Sequence, residues 1–312
     1  MAKIFTVTAH TAIDFYIEVD GLANRRNILS KNSSDFACGK GINVARALAA
    51  LNIPCTCLGF VGRQSLASFL AIESPLLHTD FTVVNGKTRT NITLYDRATS
   101  NETHIRTAGF SVDDAACQDL LDNLAGQLQA GDLVILCGSL PPGAAKEFHA
   151  ALIGLCHHRS ATAFLDSSGD SLAAGIQARP WLIKPNQQEL EELTGQTLRD
   201  TRAVAAAARS IVDQGIAWVY VSRGADGLVV VGEQIALTAR SNKIPKAVIS
   251  HIGCGDALLA GLAAAFIAGQ DLPETIKSGI ACGTANLYSR EPGQFAAELL
   301  PAIAANCEIH AI

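Results

Sequence analysis

The chain has 312 residues, 49% of them hydrophobic, and carries a formal net charge of −5. That supports a substantial core. The acidic balance, with Arg25-Arg26 the one adjacent basic pair, argues against nucleic acid or an anionic membrane surface as partner. Nine cysteines without a C-x-x-C pair argue against a zinc or thioredoxin-like centre and read as reduced thiols.

In chain order, the first run, K-I-F-T-V-T, follows no long apolar segment and reads as a strand, not a signal peptide, which with the thiols implies a cytoplasmic setting. The stretch from about Asp14 to Phe36 alternates polar and apolar residues, as does that from about Lys87 to Thr107. Neither holds a helix between strands, so together they predict a small half-exposed antiparallel sheet, a lid over about 14–36 and 87–107. Elsewhere strands that are apolar throughout, C-T-C-L-G-F, L-V-I-L-C, T-A-F-L-D, W-L-I-K, W-V-Y-V-S and L-V-V-V, alternate with helical patterns such as I-N-V-A-R-A-L-A-A-L and R-A-V-A-A-A-A-R-S-I-V. This predicts an α/β fold, a three-layer αβα sandwich around a central, mostly parallel sheet, in one domain over residues 1–312. The helix A-L-L-A-G-L-A-A-A-F is apolar all round and should be buried. Its stretch, Ala257 to Gly269, is about 13 residues, short of the roughly 20 that cross a bilayer.

Two segments carry the chemistry. In S-H-I-G-C-G-D, Gly253, Cys254, Gly255 and Asp256 precede and enter that apolar helix. Glycines there turn N–H groups toward one point, and the helix N-terminus adds positive potential, so an anion site is expected. Asp256 also suits a plain helix start, and His251 with Cys254 leaves a metal or a nucleophile reading open. In A-C-G-K-G-I-N, Gly39 and Lys40 precede Asn43 at the entry of a periodic helix. A lysine between glycines suits a bound anion or polyol, and Asn43 can both donate and accept toward hydroxyls.

With T-R-T-N (88–91), C-G-S-L-P-P-G (137–143), D-S-S-G (166–169), K-P-N-Q-Q-E-L (184–190) and V-S-R-G-A-D-G (221–227), these segments resemble, in order and over nearly the whole chain, the phosphofructokinase-B (ribokinase-like) carbohydrate kinases, most of all their hexose-phosphate branch. The resemblance implies an ATP- and Mg²⁺-dependent phosphotransferase acting on a hydroxyl of a ketohexose phosphate: fructose 1-phosphate, fructose 6-phosphate or tagatose 6-phosphate. Alternatives are a kinase of an unphosphorylated sugar or nucleoside, and a catalytically weak sugar-binding regulatory protein. It further implies Asp256 as base, the N–H groups of Gly253, Cys254, Gly255 and Asp256 as anion hole, and Glu189 as organiser of Mg²⁺. Asp14, Gly39, Lys40, Asn43, Arg89, Ser139 and Arg106 would hold the sugar and its phosphate. Asn186, Ser222, Gly224, Gly227, Gly283 and Asn286 would lie along ATP, and a homodimer would form through the lid. The chain departs from the family pattern at His10-Thr11, Arg63-Gln64, Cys38 and Ser250-His251, positions around the sugar or a cation, which implies an altered sugar pocket.

Overall fold

The computed structural model describes residues 2–22, 27–241 and 247–312; Arg25 and Arg26, with part of the anticipated lid, lie outside them. The chain opens with β1 (Ile4–Thr8), β2 (Ala12–Val19), β3 (Asn32–Cys38), α1 (Lys40–Ala50), β4 (Cys55–Gly62), α2 (Leu66–Leu70), β5 (Leu77–Val84), β6 (Arg89–Asp96) and β7 (Asn101–Arg106). It continues through α3 (Asp114–Gln127), β8 (Leu133–Cys137), α4 (Phe148–His158), β9 (Thr162–Asp166), α5 (Gly169–Gln177), β10 (Leu182–Ile183), α6 (Gln187–Thr194), α7 (Thr201–Val212), β11 (Trp218–Ser222), β12 (Leu228–Val231) and β13 (Ala236–Ser241). The last elements are α8 (Cys254–Ile267), α9 (Leu272–Asn286), α10 (Leu300–Ala305) and β14 (Cys307–Ala311).

Among the described residues the main sheet has ten strands in the order β14-β13-β12-β11-β10-β9-β8-β1-β4-β5. From β11 to β5 the strands are parallel. The run L-V-V-V does not follow a crossover helix: β12 returns antiparallel to β11, and β13 and β14 extend that edge. Parallel strands are apolar throughout because both faces are covered. In β8, Leu133, Ile135 and Cys137 join the core beneath α1, α8 and α9, while Val134 and Leu136 join the opposite core with α3 to α7. α8 is buried nearly all round against α1, α9 and the sheet.

A second sheet, β3-β2-β6-β7, covers the two spans anticipated as a lid. It is mixed rather than antiparallel. β2 pairs antiparallel with β3, and β6 with β7, but β2 and β6 run parallel in register from Ala12↔Arg89 to Val19↔Asp96. The reason lies in the main sheet: β1 and β5 run the same way there, and β2 and β6 leave the C-terminal ends of those strands after three- and four-residue connections (9–11 and 85–88).

Strand order reverses between β1 and β8, since the chain moves from β1 to β4 and β5 on one side and later to β8, β9, β10 and β11 on the other. Open α/β sheets bind ligands in the crevice at such a switch point, outside the strands' C-terminal ends.

Candidate active site

The C-terminal ends of neighbouring strands and the N-termini of two helices meet at that crevice. Asp166 is the last residue of β9, and Lys184 directly follows β10. α1 brings Lys40 and Asn43, and α8 brings Asp256 in its first turn. Lys40 Nζ donates to Asp166 Oδ1 at 3.0 Å, and Lys184 Nζ lies 3.2 Å from Asp166 Oδ2. Asn43 Nδ2 donates to Asp256 Oδ2 at 2.8 Å, joining residues 213 positions apart.

These groups set one another's ionisation. Burial alone would raise the Asp166 carboxyl, but Lys184 and Lys40 outweigh it and hold the group below the usual carboxylate range. Asp256 goes the other way: burial and then the neighbouring Asp166 charge push it up to about 6, against the pull of Lys40, Asn43 and Lys184. Burial would lower Lys40, yet Asp166, Asp256 and Glu189 together hold it above its ordinary value. The cluster therefore keeps the Lys40 ammonium charged beside a carboxylate whose proton affinity lies close to neutrality.

Gly253 caps α8 at φ +80°, a left-handed conformation that suits glycine, and so turns the chain into the helix. The first N–H groups of a helix have no intrahelical acceptor, so those around Cys254 and Gly255 stand beside Asp256 with the helix dipole behind them. A Cβ on Gly255 would lie 3.4 Å from Lys184 Nζ, which places that ammonium at the same loop. His251 is exposed, and the Cys254 thiol is raised by burial and approached by Asn286 Nδ2 at 3.6 Å.

On one side of this cluster Asn186 and Ser222 lie side by side in a parallel bridge, with Ser222 N–H donating to the Pro185 carbonyl at 3.0 Å. Asn186 caps α6, its Oδ1 accepting from Glu189 N–H, while Glu189 Oε2 accepts from Asn186 N–H, both at 2.8 Å. Gly224 and Gly227 shape the next turn, closed by Arg223 N–H to the Gly227 carbonyl at 2.8 Å. Gly283 serves helix packing: a Cβ there would meet the Cys254 carbonyl at 3.1 Å. The Asn286 side chain is fully buried and spent on backbone, donating to the Ile252 carbonyl and accepting from Gly293 N–H, each at 2.8 Å. It holds the loop that leads into α8.

The small sheet supplies the opposite side. Asn91 Nδ2 donates to Asp14 Oδ1 at 2.8 Å. Arg89 Nη2 donates to the His10 carbonyl at 3.0 Å and Nε to the Thr11 carbonyl at 3.4 Å. Burial, then the positive charge of Arg106 on β7, lowers Arg89, so the two guanidinium groups are electrostatic neighbours. Gly39, at φ +149°, sits so close to β1 that a Cβ would reach Thr8 Cγ2 at 2.5 Å. Ser139 follows Gly138, whose N–H donates to the Asp166 carbonyl at 2.8 Å, and is half-buried at the end of β8.

Sequence reasoning singled out Lys40, Asn43 and Asp256, which the fold brings together. It assigned no role to Asp166, Lys184 or Asn91. Their signal was available: an aspartate or lysine ending an otherwise apolar strand, as in T-A-F-L-D and W-L-I-K, sits where a parallel sheet meets its ligand.

Residues 2–296 match the pfkB family carbohydrate kinases, and the chain belongs to that family of enzymes, which transfer phosphate to a sugar hydroxyl. Among relatives, the 1-phosphofructokinase of Bacillus subtilis is 30% identical over 306 residues, covering 96% of this chain and 98% of the relative. That of Xanthomonas campestris is 36% identical over 270 residues, covering 85% and 84%. Phosphofructokinase-2 from Escherichia coli, solved in complex with potassium, superposes with a TM-score of 0.88 at 25% identity over 98% of this chain and 99% of that one. Its complex with fructose-6-phosphate gives 0.87 at the same identity and coverage.

Proposed function

We propose that this enzyme transfers the γ-phosphoryl group of ATP to a free hydroxyl of a ketohexose phosphate, with fructose 1-phosphate the first candidate and its remaining primary hydroxyl the acceptor. The observation that carries the reading is Asp256: buried, raised to about 6, bonded to Asn43 and placed at the N-terminus of α8 beside Lys40 and Lys184. A base poised near neutrality accepts the hydroxyl proton as the oxygen attacks phosphorus and the bond to the β-phosphate oxygen breaks, releasing ADP. Lys40, Lys184 and the α8 N–H groups stabilise the charge that gathers on the phosphoryl oxygens. Arg89 and Arg106 suit the phosphate already on the sugar, because a planar fork pairs with two oxygens at once. Asp14, steadied by Asn91, suits two sugar hydroxyls.

The residues fit a Mg²⁺ ion held mainly by phosphate and water. Both Asp166 oxygens face lysines, whereas Glu189 keeps Oε1 without a protein hydrogen bond among the described residues. A hard cation that retains waters needs no more than that. Glu189 and Asn186 would hold it, and when bound it supplies neutralisation of the nucleotide's phosphate charge. We read the chain as one ribokinase-like unit over residues 1–312 whose small sheet, over about 14–36 and 87–107, closes over the sugar and excludes water. We further read it as a homodimer through that sheet, in the cytoplasm, a setting that suits nine free thiols.

The test is a substrate panel with coupled detection of ADP: fructose 1-phosphate, fructose 6-phosphate, tagatose 6-phosphate and the corresponding free sugars. Turnover highest with fructose 1-phosphate is expected. Turnover confined to free sugars, with unchanged sugar affinity in Arg89→Ala, overturns the sugar-phosphate assignment.

A further inference from the structure

α1 carries Lys40 and Asn43 into the catalytic cluster and, less than one turn beyond Asn43, a second cation that the mechanism does not use. Arg46 is only 9% exposed, and its Nη1 is buried without a hydrogen-bond partner. Among the described residues no carboxylate lies within ion-pair distance of it, and none of the residues outside them is acidic. Among the described residues its one charge-compensating neighbour is the ring of Phe36, with Cζ 5.7 Å from the centroid. A ring face offsets only a fraction of what a guanidinium loses on leaving water. A buried guanidinium of this kind, without a carboxylate beside it, calls for an anion.

Arg46 also lines a cleft of about 610 Å³. Ala49 and Ala50 of α1 form one wall, Ile72 and Ser74 beyond α2 another, and Gln294 and Phe295 a third. None of Lys40, Asp166, Lys184 or Asp256 borders it. The wall chemistry suits an acceptor-rich guest. The Ser74 hydroxyl already accepts from Leu76 and Leu77 N–H, so what it has left to offer is its proton. Alanines leave room over the helix for a small molecule only.

We propose that this cleft is a binding site for a small oxyanion, a carboxylate or phosphate group seated on the Arg46 guanidinium, apart from the sugar and nucleotide pockets. Nη1 itself is buried, so the head group would meet the guanidinium through the part that borders the cleft.

Isothermal titration of the full chain with inorganic phosphate in one arm and succinate in the other tests this. Wild type, Arg46→Gln and Ala50→Trp are compared; the tryptophan fills the cleft while keeping the guanidinium. Phosphate taken up by the catalytic anion loop appears equally in all three and cancels, so the result is independent of which sugar the enzyme phosphorylates. Expected is a binding component for one of the probes that both variants weaken by about tenfold or more, the responding arm naming the head group. If Arg46→Gln does not fold, Ala50→Trp decides. No component removed by Ala50→Trp, or equal binding in wild type and folded Arg46→Gln, overturns the proposal.

Discussion

Asp256 and Asp166 are both buried carboxylates a short distance from the same two lysines, yet their ionisation diverges. Asp166 is in direct contact with both ammonium groups, whereas Asp256 accepts a neutral amide hydrogen bond and feels Asp166 as a like charge. One is thus a fixed anion, while the other can gain or lose a proton near neutrality, as the proposed base must. Asp256→Asn is expected to lower turnover by about 10² to 10⁴ while nucleotide binding persists, as ADP release and calorimetry with ATP would read. The base must be unprotonated to act, so kcat/KM of the native enzyme should fall about tenfold per pH unit below about pH 6. A flat profile from pH 5 to 7 would remove Asp256 from that role. Arg89→Ala should raise KM for a sugar phosphate and leave KM for ATP near the native value.

Between elements, the contact of α8 with α9 supports the glycine loop that enters α8. A Cβ on Gly261 would lie 2.4 Å from the Ser278 carbonyl oxygen, so the helices approach to a distance that only glycine permits. Gly261→Ala should cost about 1–3 kcal/mol by overpacking, seen as a lower urea midpoint. At α6, Asn186 and Glu189 form a reciprocal cap, and this gives a way to separate structure from chemistry. Asn186→Ala should cost about 1 kcal/mol in stability. If Glu189 has only that capping role, Glu189→Gln keeps native turnover, because glutamine also satisfies a capping box; a fall in turnover that rising Mg²⁺ partly restores identifies it as the organiser of the ion.

For the molecule as a whole, acid stability turns on two buried histidines, His149 in the core and His10 beside Arg89. His149 is fully buried with both ring nitrogens unpartnered, and burial lowers it to about 4. His10 is lowered to about 4 by burial and then by Arg89. Between pH 6.5 and 4 the unfolded chain protonates these rings and the native protein does not, so stability falls as pH falls through that window. Asp256 works the opposite way between about 6 and 3.8, since the native state keeps its proton longer. Two histidines outweigh one aspartate, and His149 alone accounts for up to about 3 kcal/mol. Urea unfolding of His149→Leu at pH 7 and pH 4.5 should show a smaller acid loss than wild type; equal losses would show that the ring does not matter. The small sheet ends in β7, exposed along its whole length with Ile105 half exposed, an unprotected edge that suits pairing with a second copy. Ile105→Asp is expected to shift a dimer toward monomer in sedimentation velocity.

The local sequence determined much of this protein. Apolar strands between amphipathic helices, two glycine-led helix entries and the carboxylate that follows one of them are local patterns, and each follows from backbone geometry or burial within a few residues. That is why the sandwich, Lys40, Asn43 and Asp256 were legible. Which strands neighbour one another was not. The parallel pairing of β2 with β6 follows from the direction of β1 and β5, and the antiparallel edge from the hairpin into β12. The same holds for charge. Asp166 between two lysines, Asp256 raised beside it, Asn286 consumed by backbone groups and Arg46 buried without a counter-ion all depend on residues distant in the chain. Electrostatic energy and desolvation are set by distances through space, and only the tertiary structure decides those distances.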